Sequence, residues 1–159
     1  MVWIFLLILA AGFGVLFYYA LKADAKRIAE GKVIHRSEHF MENAEEFILS
    51  AVDPEQVTSA VQQLDYTGMQ VSMRGNREDQ RFDFTGGSWS ARLWRISADE
   101  TQAIYRFQFL NWKTRDDLAQ GGISMNMLTT AIEKFFLALD PNTQVRTVPL
   151  ELKTKRSLL

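Results

Sequence analysis

Hydrophobic residues are distributed along the chain in two ways, as one long continuous run and then as short periodic segments. The run is VWIFLLILAAGFGVLFYYAL, residues 2–21, and it contains no charged side chain. As a helix it would span roughly 30 Å, the thickness of the hydrocarbon core of a bilayer. Trp3, Tyr18 and Tyr19 lie near its two ends, where aromatic rings favour the membrane interface. The pattern predicts a transmembrane anchor helix over residues 1–21.

Basic residues follow this run directly, in a juxtamembrane connector that covers residues 22–36. The cations expected at the membrane surface are Lys22, Lys26 and Arg27. Because cytoplasmic flanks carry an excess of Lys and Arg, we expect a single-pass protein of the cell membrane, with its N-terminus outside and its main domain in the cytoplasm. No Lys or Arg precedes the run, unlike in a signal peptide, so we expect the anchor to be retained. Ala10 and Gly14 form a small-xxx-small pair that leaves a homodimer open.

Two later segments show apolar residues at helical spacing. The first covers residues 53–68, where Asp53 suits the N-cap, Pro54 suits the first helical position and Gly68 suits the position just beyond the end. The second covers residues 123–139 and ends before Pro141. Each segment has a single apolar side, so we expect each helix to pack on a sheet.

Alternating apolar and polar residues, typical of half-buried strands, lie between and around these helices. The predicted strands are residues 45–52, 69–73, 81–96, 102–112 and 144–152. The first of them also fits a helical face, and we favour a strand. We interpret Gly86 and Gly87 as a bulge or a bend inside the third, and Pro149 indicates that the last lies at a sheet edge.

The predicted order of elements, β-α-β-β-β-α-β, indicates an α+β fold over residues 37–152. In such a fold an antiparallel sheet is covered on one face by two helices. The basic tail, residues 153–159, follows this domain. We expect a disordered end there, and a return to the membrane surface is the alternative.

Composition adds limits on chemistry and partners. The 18 Lys and Arg residues nearly balance the 19 Asp and Glu residues, so we expect no nucleic-acid partner. The chain has no cysteine, which excludes disulfides and thiolate chemistry and is consistent with a reducing cytoplasm. No phosphate-cradling loop or Ser-His-Asp set can be recognised, and we expect no cofactor.

The segment HRSEH, residues 35–39, contains both histidines of the chain and matches the H-x-x-E-H pattern of inverted zinc proteases. On a helix His35 and His39 would bind the metal, and Glu38 would activate water. The match covers five residues without a helical context. A zinc hydrolase is therefore an alternative, and we favour two solvated histidines in a connector.

A second candidate site is the outer face of the predicted sheet. If Ala103 and Tyr105 face the helices, Arg106 faces away, and Arg92 and Trp94 of the preceding strand can join it. Guanidinium groups bond anions bidentately and stack on aromatic rings, so these three residues could bind a carboxylate, a phosphate or a peptide.

These observations favour a membrane-tethered binding or adaptor domain over an enzyme. The expected partners are the membrane and a protein in it or at its surface. The binding residues that we predict are Arg92, Trp94 and Arg106. The alternatives are the zinc hydrolase and a domain that binds anionic lipid.

Overall fold

The computed structural model describes the backbone of residues 2–158, with side chains except at positions 2–5, 7, 8, 76 and 158. The chain divides into two compact units, Met1–Ile34 and His35–Leu159. Each unit is described by itself below.

The first unit contains helix α1, Val2–Ala29, which is 28 residues long. It extends past the predicted anchor and into the predicted connector, residues 22–36. Among the helices of the described residues, none is both long enough and apolar enough to cross a membrane. The transmembrane anchor over residues 1–21 is not confirmed and stays a prediction.

The second unit combines two helices with one mixed sheet. Its helices are α2, Pro54–Gln62, and α3, Gly122–Leu139. Its strands are β1 Ala44–Ser50, β2 Ser72–Asn76, β3 Arg81–Thr85, β4 Trp89–Ala98, β5 Gln102–Arg115, β6 Leu118–Ala119, β7 Gln144–Val148 and β8 Lys155–Leu158. A short 3-10 turn, Phe40–Glu42, precedes β1.

The sheet has the strand order β2-β3-β4-β5-β1-β7, and every neighbouring pair along it is antiparallel. Strand β5 is long enough to pair with β1 through its first half and with β6 and β8 near its end. The pairing of β5 with β8 is parallel. The predicted α+β class with an antiparallel sheet is confirmed. Of the predicted strand over residues 45–52, residues 45–50 are strand and none is helix.

The core lies between the sheet and α3. Phe136 of α3 stacks on Phe47 of β1 with ring centroids 4.6 Å apart, and it lies 5.2 Å from the ring of Tyr105. The alternation predicted for β5 is confirmed, since its inward residues are all buried: Ala103, Tyr105, Phe107 and Phe109. Helix α2 begins at the predicted cap, where Asp53 accepts from the Glu55 amide at 2.9 Å.

The predicted order β-α-β-β-β-α-β is wrong in its middle. Residues 81–96 are not one bulged strand but two antiparallel strands, β3 and β4, joined by a tight turn. The Gly86 amide donates to the Trp89 carbonyl at 2.9 Å and closes the turn. Gly86 leaves space for the Trp89 ring at this turn, because a Cβ at position 86 would overlap the ring. Strand β2 also begins at Ser72, three residues later than predicted, because Gln70 has φ 50°, outside the strand region.

The last part of the chain is more ordered than predicted. Strand β7 lies at the sheet edge, as Pro149 indicated, but it ends at Val148 and not at residue 152 as predicted. Residues 149–152, which we call the strap, then leave the strand. Residues 155–158 form β8, so the expectation of a disordered end is wrong there, because β5 extends far enough beyond β1 to supply a partner. Leu159 lies outside the described residues.

Candidate functional site

A row of side chains crosses the outer face of the sheet, the face turned away from α3. Arg81 lies opposite Trp94, Trp94 opposite Arg106, and Glu46 opposite both Arg106 and Arg146. The row therefore passes through β3, β4, β5, β1 and β7. We call these five residues the transverse row.

Glu46 holds the row together at its centre. Its side chain is 4% exposed, and its two carboxylate oxygens accept hydrogen bonds from Arg106 and Arg146. The Arg106 Nε lies 3.0 Å from Oε1, and the Arg146 Nε lies 2.6 Å from Oε2. Burial raises the pKa of Glu46, but hydrogen bonds from the two arginines outweigh it and hold the pKa below its ordinary value of 4.5. Glu46 is therefore ionised at neutral pH.

Trp94 is the aromatic member of the row and is half-buried. The Arg106 guanidinium lies 6.0 Å from the centroid of its ring, within the range of a cation–π contact. The structure thus brings together Trp94 and Arg106, two of the three predicted binding residues, as direct cross-strand neighbours.

Arg92, the third predicted residue, lies beside this row and bonds to Asp83. Its Nε donates to Oδ1 at 2.6 Å, while Arg81 donates to Oδ2 at 3.0 Å. All three predicted residues therefore share one face. Both predicted arginines are already paired with carboxylates, so an incoming anion would share each guanidinium with a resident acid.

The strap crosses the same face and is held there by Gln108. This side chain has no exposed area, although it points away from α3. Its Oε1 accepts from the amides of Glu151 and Leu152 at 3.0 and 3.1 Å, and its Nε2 donates to the Leu152 carbonyl at 2.7 Å. The Glu151 carboxylate also bonds to Arg106. The sheet face thus holds a segment of backbone that is not part of a strand through one amide side chain.

A cleft of about 260 Å³ remains open between the strap and Trp94. The residues around it are mainly cationic and aromatic. They are Asp79, Arg81, Arg92, Trp94, Arg95 and Leu152. The cleft therefore offers an aromatic surface, an apolar side chain and several guanidinium donors.

The HRSEH segment is not helical, since residues 34–37 are irregular and 38–39 form a turn. His35 and His39 consequently lack the one-turn helical spacing that the zinc hypothesis requires. His39 lies 3.6 Å from Glu42 and is largely exposed. Within residues 2–158, no group of three or more His, Cys, Asp or Glu side chains could hold a metal ion.

The residue of this segment with the most contacts is Arg36. It donates to Glu133 of α3 at 2.7 Å and also bonds to Glu45 of β1. Burial raises the pKa of Glu45, Arg36 lowers it and Glu133 raises it, with a net increase above 4.5. Arg36 therefore links the first residues of the unit to β1 of the sheet and to α3.

Two of the three predicted membrane-surface cations have carboxylate partners within α1 or just after it. Arg27 bonds to Asp24 at 2.8 Å, and Lys26 lies 3.7 Å from Glu30. Lys22 is exposed. These pairs reduce the net positive charge that this segment presents.

Sequence reasoning missed Glu46, Gln108 and Glu151, which organise the outer face. Glu46 and Gln108 belong to segments that are correctly predicted as strands, whereas Glu151 lies in the part of the predicted strand 144–152 that forms the strap. What was lacking was the register between strands, which decides that Glu46 meets Arg106 and that the strap meets Gln108. A glutamate beside Phe47 and Ile48 in an apolar strand is the one signal that could have indicated a buried ion pair.

Comparison with family models, with curated proteins and with solved structures finds no match for this chain. The argument for function therefore rests on the geometry above.

Proposed function

We propose that this chain is a membrane-tethered adaptor, and that residues 35–159 bind an extended segment of a membrane-associated protein partner. The observation that carries the proposal is the cleft between Trp94 and the strap. Partners are commonly bound by a half-buried aromatic anchor surrounded by arginines, and Trp and Arg are the residues most enriched at binding hot spots.

The strap supports the proposal because it demonstrates what the face can hold. Gln108 makes three hydrogen bonds to its backbone, and Arg106 bonds to its Glu151 side chain. In an extended partner segment beside the strap, an apolar side chain could pack on Trp94. A carboxylate of the segment could bond to Arg81 and Arg92, since guanidinium groups can bond to more than one acid.

The tether rests on the uncharged run over residues 2–21, which includes positions whose side chains lie outside the described ones. The basic flank that follows favours an external N-terminus and a cytoplasmic domain. Confining the domain to the membrane raises its effective concentration toward a membrane partner. A face whose arginines are largely paired with carboxylates suits such an arrangement.

Site-specific photo-crosslinking in native membranes tests the proposal. A photoreactive amino acid replaces Trp94 in one full-length variant and Leu137 in a matched control. Leu137 is 38% exposed and lies on α3, on the other side of the sheet. We expect position 94 to capture one defined protein that position 137 does not. Capture of the same protein at both positions, or of none at position 94, would contradict the proposed face.

A further inference from the structure

A second cleft, about 400 Å³ in volume, lies on the outer face at the turn between β3 and β4. Its lining contains two lysines, several hydroxyls and two glycines, and no carboxylate. The residues that matter for its chemistry are Gly87, Ser88, Lys113, Lys155 and Ser157. The cleft is separate from the one beside Trp94, which has no lining residue in common with it.

The two lysines are brought together by the parallel pairing of β5 and β8. Lys155 lies opposite Asn111, and Lys113 lies opposite Ser157. Opposite residues of paired strands project to the same face, so Lys113 and Lys155 are diagonal neighbours on one face of the pair. Two flexible lysine side chains at such positions can reach one small group between them. The basic tail therefore completes the cleft by forming β8.

Neither lysine has a carboxylate partner in the part of the chain that the structure describes. Arg156, between Lys155 and Ser157, differs from them because it bonds to Asp117 at 2.8 Å. Lys113 and Lys155 line a space that is bounded by polar and glycine residues. Their charge there is uncompensated by any acid of the lining.

The turn adds two hydrogen-bond donors. The amides of Gly87 and Ser88 donate to no backbone carbonyl among the described residues, although the turn is fixed on both sides. Gly86 bonds to the Trp89 carbonyl at 2.9 Å, and the Ser88 carbonyl accepts from the Lys113 amide at 3.0 Å. Successive unpaired amides next to cationic side chains are a recurring arrangement in anion sites.

We propose that this cleft binds a phosphate group, with Lys113 and Lys155 as its cationic partners and the Gly87 and Ser88 amides as further donors. A phosphate has several strong acceptor oxygens and can use all of these donors at once. The same chemistry occurs in a soluble phosphate ester and in an anionic lipid headgroup. This inference goes beyond the adaptor function and does not depend on it.

Amide NMR on the full-length protein in phosphatidylcholine nanodiscs tests the site and separates the two sources. Inorganic phosphate is titrated in one arm, with chloride at equal ionic strength as the reference. Phosphatidylglycerol replaces part of the lipid in the other arm, without added phosphate. We expect saturable shifts of the Gly87 and Ser88 amides. Saturation with free phosphate indicates a soluble ligand, and shifts in the lipid arm alone indicate a headgroup.

Substitutions decide whether the cleft itself is responsible. Lys113→Gln and Lys155→Gln should each weaken the binding about tenfold or more, since each removes a charged donor. Lys153→Gln is the matched control, because Lys153 is exposed in the same tail but does not line the cleft, and it should change affinity by less than about twofold. The proposal is overturned if neither arm shifts these amides, if the two cleft variants bind as the native chain does, or if Lys153→Gln weakens binding equally.

Discussion

Arg36 and Glu133 are separated by 97 positions in sequence, yet the Arg36 Nη2 lies 2.7 Å from the Glu133 Oε2. The same guanidinium bonds to Glu45 through Nη1, so one cation links the start of the unit, β1 and α3. The three side chains are only 11%, 16% and 26% exposed in the order Arg36, Glu45, Glu133. Arg36 is thus the cationic partner of two carboxylates, and its loss would leave both without that partner.

Replacing Arg36 with Gln should therefore destabilise the domain strongly. The variant leaves two poorly hydrated carboxylates close together without a cation, and breaking a buried pair in this way costs about 2–4 kcal/mol when some solvent access remains. The measurement is urea unfolding of the full-length protein in detergent, monitored by circular dichroism. Arg77→Gln is the control: Arg77 bonds to Glu55, both side chains are over half exposed, and its loss should cost less than about 1 kcal/mol. An equal loss of unfolding free energy in the two variants would show that the Arg36 ion pairs stabilise the domain no more than an exposed ion pair does.

Glu45 and Glu46 are adjacent in β1 and should give opposite pH dependence. Glu45 has a raised pKa, so the folded state keeps its proton at pH values where the unfolded state has lost it, and its contribution to stability falls as pH rises through 4.5 to the raised pKa. Glu46 has a lowered pKa, so its contribution is present above 4.5 and is lost as pH falls through the lowered value.

The single variants Glu45→Gln and Glu46→Gln separate these two effects. We expect the stability of Glu45→Gln relative to the native chain to increase as pH rises from about 4.5 to the raised pKa of Glu45, and that of Glu46→Gln to decrease as pH rises from the lowered pKa of Glu46 to about 4.5. The measurement is the free energy of unfolding from about pH 3 to about pH 7. Parallel pH profiles for the two variants would contradict the opposite environments of these side chains.

The difference between these neighbours illustrates what sequence can and cannot predict. The apolar segment that contains EEFILS fits both a strand and a helical face, and the strand that we favoured is confirmed. It does not reveal that Glu45 meets Arg36 on the helix side while Glu46 meets Arg106 on the outer side. These two contacts join residues that are 9 and 60 positions apart in the sequence. They depend on the register between strands, which a local sequence pattern does not predict. The inward residues of β5 were predictable because burial against helices imposes a period of two.

Local turn chemistry was the other source of error. Gly86 and Gly87 fit both a bulge and a hairpin turn, and only the pairing of β3 with β4 decides between them. Strand β8 could not be predicted, because Lys155 and Arg156 resemble a solvated tail until β5 is known to extend beyond β1. The outer-face positions of Arg92, Trp94 and Arg106 were predicted from the alternation of residues along each strand. Their acidic partners were not predicted.

Gln108→Leu should loosen the strap. Leucine preserves the approximate volume but removes the acceptor for two strap amides and the donor for one carbonyl, at a cost of about 1–3 kcal/mol for groups left unpaired. Hydrogen exchange of the Glu151 and Leu152 amides should accelerate markedly. Gln144→Leu, at an exposed position of the edge strand β7, is the control and should leave that exchange unchanged. Unaltered exchange in Gln108→Leu would mean that other contacts hold the strap.

Gly86 and Gly87 provide a matched test of the packing at the β3–β4 turn. A Cβ added at Gly86 would lie 2.4 Å from Cε2 of the Trp89 ring, whereas one added at Gly87 would meet nothing within 4 Å. Trp89 cannot easily yield, because its Nε1 donates to the Ser124 Oγ at 3.0 Å and its ring packs on Phe109. Gly86→Ala should therefore cost about 1–3 kcal/mol through overpacking. Gly87→Ala should change stability by less than about 0.5 kcal/mol.

Thermal unfolding and the indole proton resonance of Trp89 measure the two consequences of this clash. We expect Gly86→Ala to lower the melting temperature and to shift that resonance, because the ring must move away from Ser124. Gly86→Ala should cost less stability in the Trp89→Phe background than in the native chain, because the smaller ring leaves room for the methyl group. The effects of substitutions at two contacting residues are commonly not additive. Strictly additive costs in this double-mutant cycle, or equal costs at the two glycines, would show that the turn does not depend on the close approach of Gly86 and Trp89.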